Sequence, residues 1–278
     1  MIHSDWHIHS EYSYDSTLKL SELVARCKEI GLSRFGVTDH VNFNEPIYLD
    51  TLYNSSRAVR QMQKEHPELI LGVELTPINK PEFDYLAAHN GSRDGYIPAV
   101  SDKPLDMELA ISLEEMLEMG VQYCVAAAHW RVDVANRNEP ADLSVIIKDW
   151  HRQQLWIASD PRVTIVGHPW YSGRALWYED FSVIPHSMHL ELGAAIKESG
   201  KFVECNPGIM CSPRASEKFS YQYAEFMREL FEMGIPVTYG SDCHNKYTDQ
   251  REISEKYLRA AGFREGDFSD LSDSDFFK

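Results

Sequence analysis

The stretch SDWHIHSEYSYDS, residues 4–16, concentrates metal-binding side chains at the start of the chain. Asp5, His7 and His9 alternate, and Asp15 follows six residues after His9. Alternate residues of a β-strand face the same side, so His7 and His9 point into one space if this segment is a strand. Two buried imidazoles on one face each need a polar partner, and a shared metal ion supplies it. The stretch therefore predicts a strand that ends at a metal site.

The chain has 278 residues, of which 43% are hydrophobic, enough for the core of one α/β barrel. We expect a single domain over residues 1–278. No run approaches the roughly 20 apolar residues that span a bilayer, and no basic segment precedes an apolar one, which predicts a cytoplasmic protein with no membrane partner.

The charged and sulfur-containing residues exclude several classes of protein. Five widely spaced cysteines predict reduced thiols rather than a disulfide framework. A formal charge of −16 argues against broad contact with nucleic acid, which depends on clustered Lys and Arg. A small anionic substrate would need positive charge at its own site.

Short β-rich runs alternate with helical patterns along the chain. Strict alternation favours a mostly parallel sheet, and seven units in one domain predict a closed, distorted (β/α)7 barrel of the TIM type. The predicted strands are residues 2–8, 34–39, 69–75, 122–128, 163–167, 202–206 and 235–240. The predicted helices are residues 17–30, 49–65, 112–119, 142–158, 187–199, 216–233 and 249–261.

Two segments carry no clear period. Residues 80–111 contain several Pro and Gly and are predicted to be a long loop, of the kind that often covers a site. The acidic end DFSDLSDSDFFK, residues 267–278, is predicted to be a short helix or a frayed tail.

Polar side chains collect at the predicted strand ends. The ends read HIH, TDH, GVE, AAAHW, VGHP, VECN and GSDCH, and five of the seven offer a His while the other two offer a Glu. In a parallel barrel the carboxyl ends of the strands converge on one face, where functional groups lie. Glu74 would be costly to bury at the end of an apolar strand without a partner. The sequence therefore predicts a cluster of metals at this face.

In this order, DWHIH, YDS, VTDH, GVE, AAH, GHP and GSDCH resemble the motifs of the PHP family, named for polymerase and histidinol phosphatase domains. The resemblance covers residues 5–244 and is closest to the stand-alone branch that is similar to histidinol phosphatases. It implies a seven-stranded barrel with three divalent metal ions, which would be zinc, manganese or iron.

The resemblance also implies the metal ligands. One metal would be held by His7, His9, Glu74 and Asp242. Glu74 would bridge to a second metal, which His129 and His168 also bind. The third metal would be held by Asp15, His40 and His244. The ligand set also contains the expected catalytic residues, which are Glu74, Asp242 and His244.

Such a site predicts hydrolysis of a small phosphomonoester by a metal-activated water, with histidinol phosphate as the first candidate. Three divalent ions against three carboxylate ligands leave a charge of roughly +3, which would attract an anionic metabolite. The candidate phosphate-binding residues are Arg131, Arg174 and Arg214, each in a loop after a strand, although a surface ion pair is an equal alternative for any of them.

Several residues have more than one interpretation. Asp5 and Asp39 are expected to orient ligand histidines, and Glu204 and Asn206 could do the same or merely finish a strand. Asp15 could instead cap a helix. The aromatic side chains at Trp170, Tyr171, Trp177 and Tyr178 either stack on a substrate ring or pack under a loop.

Other functions stay open. A nuclease or phosphodiesterase of the PHP type is one alternative. An amidohydrolase-like enzyme is another, because those barrels also carry H-x-H on the first strand, although they usually add a carboxylated Lys at the fourth strand, where this chain has His129.

Overall fold

The structure is a computed structural model that describes residues 1–45, 48–98, 105–133 and 140–277. Within these ranges the chain alternates between strands and helices, as the sequence predicts. The strands are β1 (Ser4–Ile8), β2 (Arg34–Val37), β3 (Leu69–Leu75), β4 (Ile78–Asn79), β5 (Met107–Glu108), β6 (Tyr123–Ala126), β7 (Ile165–Val166), β8 (Phe202–Cys205) and β9 (Val237–Tyr239). The α-helices are α1 (Leu20–Glu29), α2 (Tyr48–Met62), α3 (Lys80–Ala88), α4 (Leu113–Met119), α5 (Leu143–Ser159), α6 (His186–Ser199), α7 (Pro207–Met210), α8 (Glu217–Glu232) and α9 (Arg251–Ala260).

Seven parallel strands form the barrel in the order β1-β2-β3-β6-β7-β8-β9. Its two edges meet through a bridge between Ile8 and Cys243, where the His9 N–H donates to the Cys243 carbonyl at 2.9 Å. A second bond runs from the Asp242 N–H to the His7 carbonyl at 2.7 Å. The predicted seven-stranded barrel is confirmed, and all seven predicted strands lie where the sequence places them.

Tyr123 packs in a buried cluster with Trp6, Ile70 and Val125, and its hydroxyl donates to the Trp6 carbonyl at 2.7 Å. Gly36 and Gly72 on the neighbouring strands face this ring, and a Cβ on either would overlap its atoms. Glycine at these two positions therefore allows one large aromatic side chain to pack against both strands.

The prediction of a loop over residues 80–111 is wrong. Helix α3 begins there because the Asn79 side chain caps it by accepting from the Glu82 N–H at 2.9 Å, and because Pro81 suits a first turn. Strand β5 then pairs antiparallel with β4. Both elements are too short for their hydrophobic period to be visible in the sequence. Residues 99–104 of the predicted loop lie outside the described ranges.

The acidic C-terminal segment is neither a helix nor a frayed tail over its described residues. Leu271 is buried in a cluster with Trp6 and Tyr123, and Phe276 packs against it. The Arg34 guanidinium donates to the Leu271 carbonyl at 3.0 Å, and the Phe277 N–H donates to the Gln122 carbonyl at 2.8 Å. The segment thus closes the end of the barrel opposite to the carboxyl ends of the strands.

All five cysteines are free, as predicted, and four of them are buried. No helix in the described ranges combines the length and apolarity needed to cross a membrane.

Candidate metal centre

The nine predicted ligands meet at the carboxyl end of the barrel, and Glu74 lies at their centre. Its side chain is fully buried at the end of β3. Glu74 Oε1 lies 3.0 Å from His168 Nε2 and 3.4 Å from His129 Nε2. Glu74 Oε2 lies 3.1 Å from His7 Nε2 and 3.0 Å from His40 Nδ1. One carboxylate therefore reaches histidines from four different strand ends.

Three overlapping groups of side chains have ligand atoms within 4.8 Å of one another. They are His7, His9, Glu74 and Asp242; His9, Asp15, His40 and His244; and His40, Glu74 and His129. The first group is the predicted first ligand set, and the second is the predicted third set with His9 added. His168 contacts Glu74 beside His129, with 4.7 Å between the two imidazole centroids.

Asp15 lies at the solvent side of this cluster. Its Oδ2 is 3.4 Å from His40 Nε2 and 3.2 Å from His244 Nε2. Helix α1 begins only at Leu20, whose N–H is bonded by the Glu11 carboxylate. The capping alternative for Asp15 is therefore wrong, since its carboxylate faces the histidines.

The geometry at Glu74 fits metal ions. Glu74 Oε2 is buried and has no hydrogen-bonding partner in the described part of the chain, although His7, His9 and His40 each place a ring nitrogen within 3.3 Å of it. His7 Nε2 and His9 Nε2 also face each other at 3.1 Å. Convergent nitrogen and carboxylate donors of this kind suit zinc, manganese or iron.

The charges and the burial of the cluster shift the pKa values of its members in different directions. Burial would lower the pKa of His7, but the carboxylates of Glu204, Glu74 and Asp242 outweigh it and hold that pKa well above the usual value. Burial would raise the pKa of Glu74, but the surrounding histidines hold it well below its usual range. Burial lowers the pKa of His129 to about 3, so this imidazole is neutral and its lone pair is available.

A buried partner fixes the orientation of His7. Glu204, at the end of β8, accepts from His7 Nδ1 at 2.7 Å through Oε1 and from the His168 N–H through Oε2. Gly240 makes this approach possible, because a Cβ there would overlap the Glu204 carboxylate. Glu204 therefore orients one histidine through its ring and another through its backbone.

Of the two carboxylates expected to orient ligand histidines, Asp5 bonds one of them through its backbone, and Asp39 bonds no histidine in the described part of the chain. Asp5 accepts from the backbone N–H groups of His7 and Ser241. Asp39 accepts from Ser10 and from Ser55 on α2. Both carboxylates hold the loops that carry the ligands rather than the ligand rings.

The sequence interpretation missed two polar side chains that contact ligand rings. Thr76 Oγ1 lies 2.9 Å from His129 Nδ1, and Asn42 Nδ2 lies 3.2 Å from His40 Nδ1. Thr76 follows the predicted ligand Glu74 by two residues, and Asn42 follows the predicted ligand His40 by two residues. This spacing was the signal in the sequence that could have identified them.

The backbone at Asp242 also adopts an unusual conformation. Asp242 has φ of 56°, in the left-handed region that Asp adopts more readily than most residues. Its Oδ1 lies 3.2 Å from His9 Nε2. The unusual turn after β9 brings the carboxylate to the histidines of β1.

The three predicted phosphate-binding arginines lie around one turn beside the cluster. Arg131 is buried, and its guanidinium pairs with Asp133 at 3.0 Å. Arg174 is exposed. Arg214 is exposed and donates to the Gly173 carbonyl at 2.9 Å. The structure thus brings all three to the side of the site near His129.

Of the four aromatic residues after His168, only Tyr171 faces the cluster. Its ring lies 5.0 Å from the His168 ring and 5.8 Å from the His129 ring, measured between centroids. Trp170, Trp177 and Tyr178 are buried in the core, which is the packing alternative of the sequence interpretation.

Comparisons with known proteins agree with this architecture. A family model described as the PHP domain matches residues 5–208. The histidinol phosphate phosphatase of Lactococcus lactis subsp. lactis Il1403, solved with zinc, L-histidinol and phosphate, has a TM-score of 0.67 at 18% identity, with 99% of this chain and 98% of that chain covered. A Listeria monocytogenes protein assigned as a histidinol phosphatase has a TM-score of 0.63 at 14% identity, with coverage of 91% and 99%. No curated protein matches the sequence.

Proposed function

Since the chain belongs to the PHP domain family of metal-dependent hydrolases, we propose that it is a metal-dependent phosphomonoesterase that acts on a small metabolite. The observation that carries this proposal is the position of Glu74, whose two carboxylate oxygens face five histidines from β1, β2, β6 and β7 strand ends. A carboxylate so placed can bridge two cations, as hydrolysis of a phosphate ester at a multinuclear centre requires.

Three divalent ions would be held by the three ligand sets, and zinc, manganese or iron suits the donors. When bound, they would lower the pKa of a water molecule and stabilise negative charge on the phosphoryl oxygens. In the overall reaction the water oxygen bonds to phosphorus, the ester P–O bond breaks, and the alcohol leaves with one proton.

The protein's own groups would orient the ligands and handle the proton. Glu204 fixes the His7 ring, and Thr76 and Asn42 fix the rings of His129 and His40. Asp242, whose side chain is 22% exposed and lies beside His9, would accept a proton from the attacking water. His244 Nδ1 bonds the Asp242 carbonyl at 2.9 Å and keeps this turn in place.

The arginines would bind the ester. Arg214 is held against the Gly173 carbonyl near Tyr171, and Arg131 and Arg174 lie on the His129 side. Guanidinium groups suit phosphate oxygens because their N–H groups match them in pairs.

A panel of esters assayed with metal-reconstituted protein tests the proposal. The panel contains histidinol phosphate as the first candidate, together with nucleoside monophosphates and sugar phosphates, and release of inorganic phosphate is measured. Phosphate release that requires added metal supports the proposal. Turnover of a phosphodiester alone, or release of an amine from an amide, would replace it with one of the alternative hydrolase activities.

A further inference from the structure

The turn that follows β7 contains a bulky residue with an unusual backbone conformation. Trp170 has φ of 63°, in the left-handed region that such a side chain rarely adopts. A residue in this region is destabilising unless its surroundings fix it, and such residues are concentrated at binding and catalytic sites. Trp170 is buried, and Tyr171 follows it directly. The conformation of Trp170 therefore sets the direction in which the chain enters Tyr171.

Hydrogen bonds fix the backbone on both sides of Tyr171. Its N–H donates to the His168 carbonyl at 3.0 Å, and its carbonyl accepts from the indole N–H of Trp150 on α5. The Trp170 N–H donates to Gln154 Oε1, also on α5, at 2.9 Å. Helix α5 thus supplies two side chains that hold the turn in this shape, so the Tyr171 side chain projects from a backbone that is fixed before any ligand binds.

The side chain of Tyr171 lies against the metal centre and is only partly buried. Its ring contacts the rings of His168 and His129, the two histidines predicted to hold the second metal. Its hydroxyl makes no hydrogen bond with any residue that the structure describes. A hydroxyl that the protein leaves without a partner beside a polar centre is available to a ligand.

The charges that act on this hydroxyl come from the ligand cluster. Burial raises the pKa of Tyr171, and the carboxylates of Asp242, Glu74 and Asp15 raise it further. These carboxylates belong to all three predicted ligand sets. The Arg214 guanidinium lowers the same pKa. The hydroxyl therefore lies within electrostatic reach of the ligand cluster and of a candidate phosphate-binding arginine.

Resting on the function proposed above, we propose that the Tyr171 hydroxyl donates a hydrogen bond to a phosphoryl oxygen of the ester. The bond strengthens as negative charge develops on that oxygen during the attack of water, so the hydroxyl stabilises the transition state more than the bound ester. Because the turn is already fixed, little conformational freedom is lost when the bond forms.

Tyr171→Phe tests the contact, because it removes the hydroxyl and keeps the ring that packs against the histidines. We expect kcat/KM for the preferred ester to fall by about a hundredfold. The competitive inhibition constant of inorganic phosphate should rise by about tenfold. Tyr221→Phe is the matched control, since it removes a hydroxyl from a 37% exposed position on α8 that contacts Tyr257, and it should leave both values unchanged. An unchanged inhibition constant in Tyr171→Phe would overturn the proposal.

Metal affinity separates a contact with the ester from a role in packing. If Tyr171 only supported His129 and His168, Tyr171→Phe would weaken metal binding, and added metal would restore activity. We expect instead that metal affinity, measured by chelator competition, and the urea unfolding midpoint stay at the values of the natural chain. Activity that returns when the metal concentration is raised would overturn the proposal.

Calorimetric binding of inorganic phosphate to the metal-loaded protein separates this inference from the proposed function. If no ester releases phosphate, the proposed phosphomonoesterase activity is wrong, and the contact of Tyr171 is decided by phosphate binding alone. Binding that is about tenfold weaker in Tyr171→Phe than in the natural chain upholds it. Equal binding in the two proteins, or no binding in either, overturns it. If both proteins hydrolyse esters equally well, the proposed function stands and the inference about Tyr171 is wrong.

Discussion

Glu204 Oε1 accepts a hydrogen bond from His7 Nδ1 at 2.7 Å, with both side chains buried at the centre of the barrel. The bond leaves His7 Nε2 facing Glu74 and His9, where a metal would bind. A carboxylate behind a ligand histidine fixes its tautomer and makes the ring a stronger donor. The same carboxylate also bonds the His168 N–H, so one side chain links β1 and the end of β7.

Glu204→Gln should weaken metal binding without unfolding the protein. The amide keeps the size of the side chain but removes the negative charge behind His7, so we expect a loss of about 10- to 100-fold in metal affinity. Titration against a competing chelator measures this. Glu198→Gln, on the exposed side of α6, is the matched control and should bind metal as the natural chain does. Unchanged affinity in Glu204→Gln would show that the Glu204 bond is only structural.

Gly240→Ala should reproduce this defect by moving Glu204 instead of changing it. The added Cβ would overlap the Glu204 carboxylate and lie close to His7, so the hydrogen bond between them must lengthen. We expect reduced metal affinity in Gly240→Ala and little further loss when it is combined with Glu204→Gln, because both act on one interaction. Fully additive losses in the double variant would contradict this.

The sequence predicted the barrel and the convergence of the nine side chains because both depend on strong local patterns. Alternation within β1 places His7 and His9 together, and parallel strands bring distant ends to one face. The sequence could not predict which carboxylate side chain contacts the imidazole ring of a ligand histidine. Asp5 shares a strand face with His7 but lies two residues earlier along β1, where it meets Ser241 and Tyr247 instead.

The contacts of Glu204 depend on long-range geometry that no local pattern encodes. Its pairing with His7 joins residues 197 positions apart and requires the space left by Gly240. Helix α3 was missed for a different reason, since its nine residues are too few to show a period and its cap lies on a two-residue strand.

Glu74→Gln should abolish hydrolysis. The amide cannot bridge two cations with two negatively charged oxygens, and it leaves the five surrounding histidines without their common carboxylate. We expect kcat for the preferred ester to fall by about a thousandfold. Phosphate release and metal content are measured on the same sample, and circular dichroism checks the fold. Unchanged turnover would remove Glu74 from the catalytic centre.

The pKa of His40 predicts opposite pH effects on stability and on metal binding. Burial would lower this pKa, but Glu74 and Asp15 raise it from 6.5 to about 10. In the metal-free protein this raised pKa stabilises the fold fully below about pH 6.5, and the contribution is lost as the pH rises through 10. Metal binding needs the neutral ring, so affinity should increase over the same range.

Urea unfolding of chelator-treated protein at pH 6, 8 and 10 measures the first effect, and metal titration at each pH measures the second. His40→Gln should show a smaller fall in the free energy of unfolding between pH 6 and pH 10 than the natural chain. The same fall in both proteins would show that His40 is not protonated in the metal-free site.

Leu271→Ala should destabilise the whole barrel although it lies far from the metal centre. Leu271 is 1% exposed and packs with Trp6 and Tyr123 where the C-terminal segment closes the barrel. Truncating a buried Leu costs about 2–5 kcal/mol of the free energy of unfolding. Leu190→Ala, at a 42% exposed position on α6, is the matched control, and its cost should stay within about 0.5 kcal/mol. Urea unfolding measures both. The family match ends at residue 208, so the C-terminal segment lies outside it. Equal stability of the two variants would show that this segment does not unfold together with the barrel. That result would contradict the expectation of a single domain over residues 1–278.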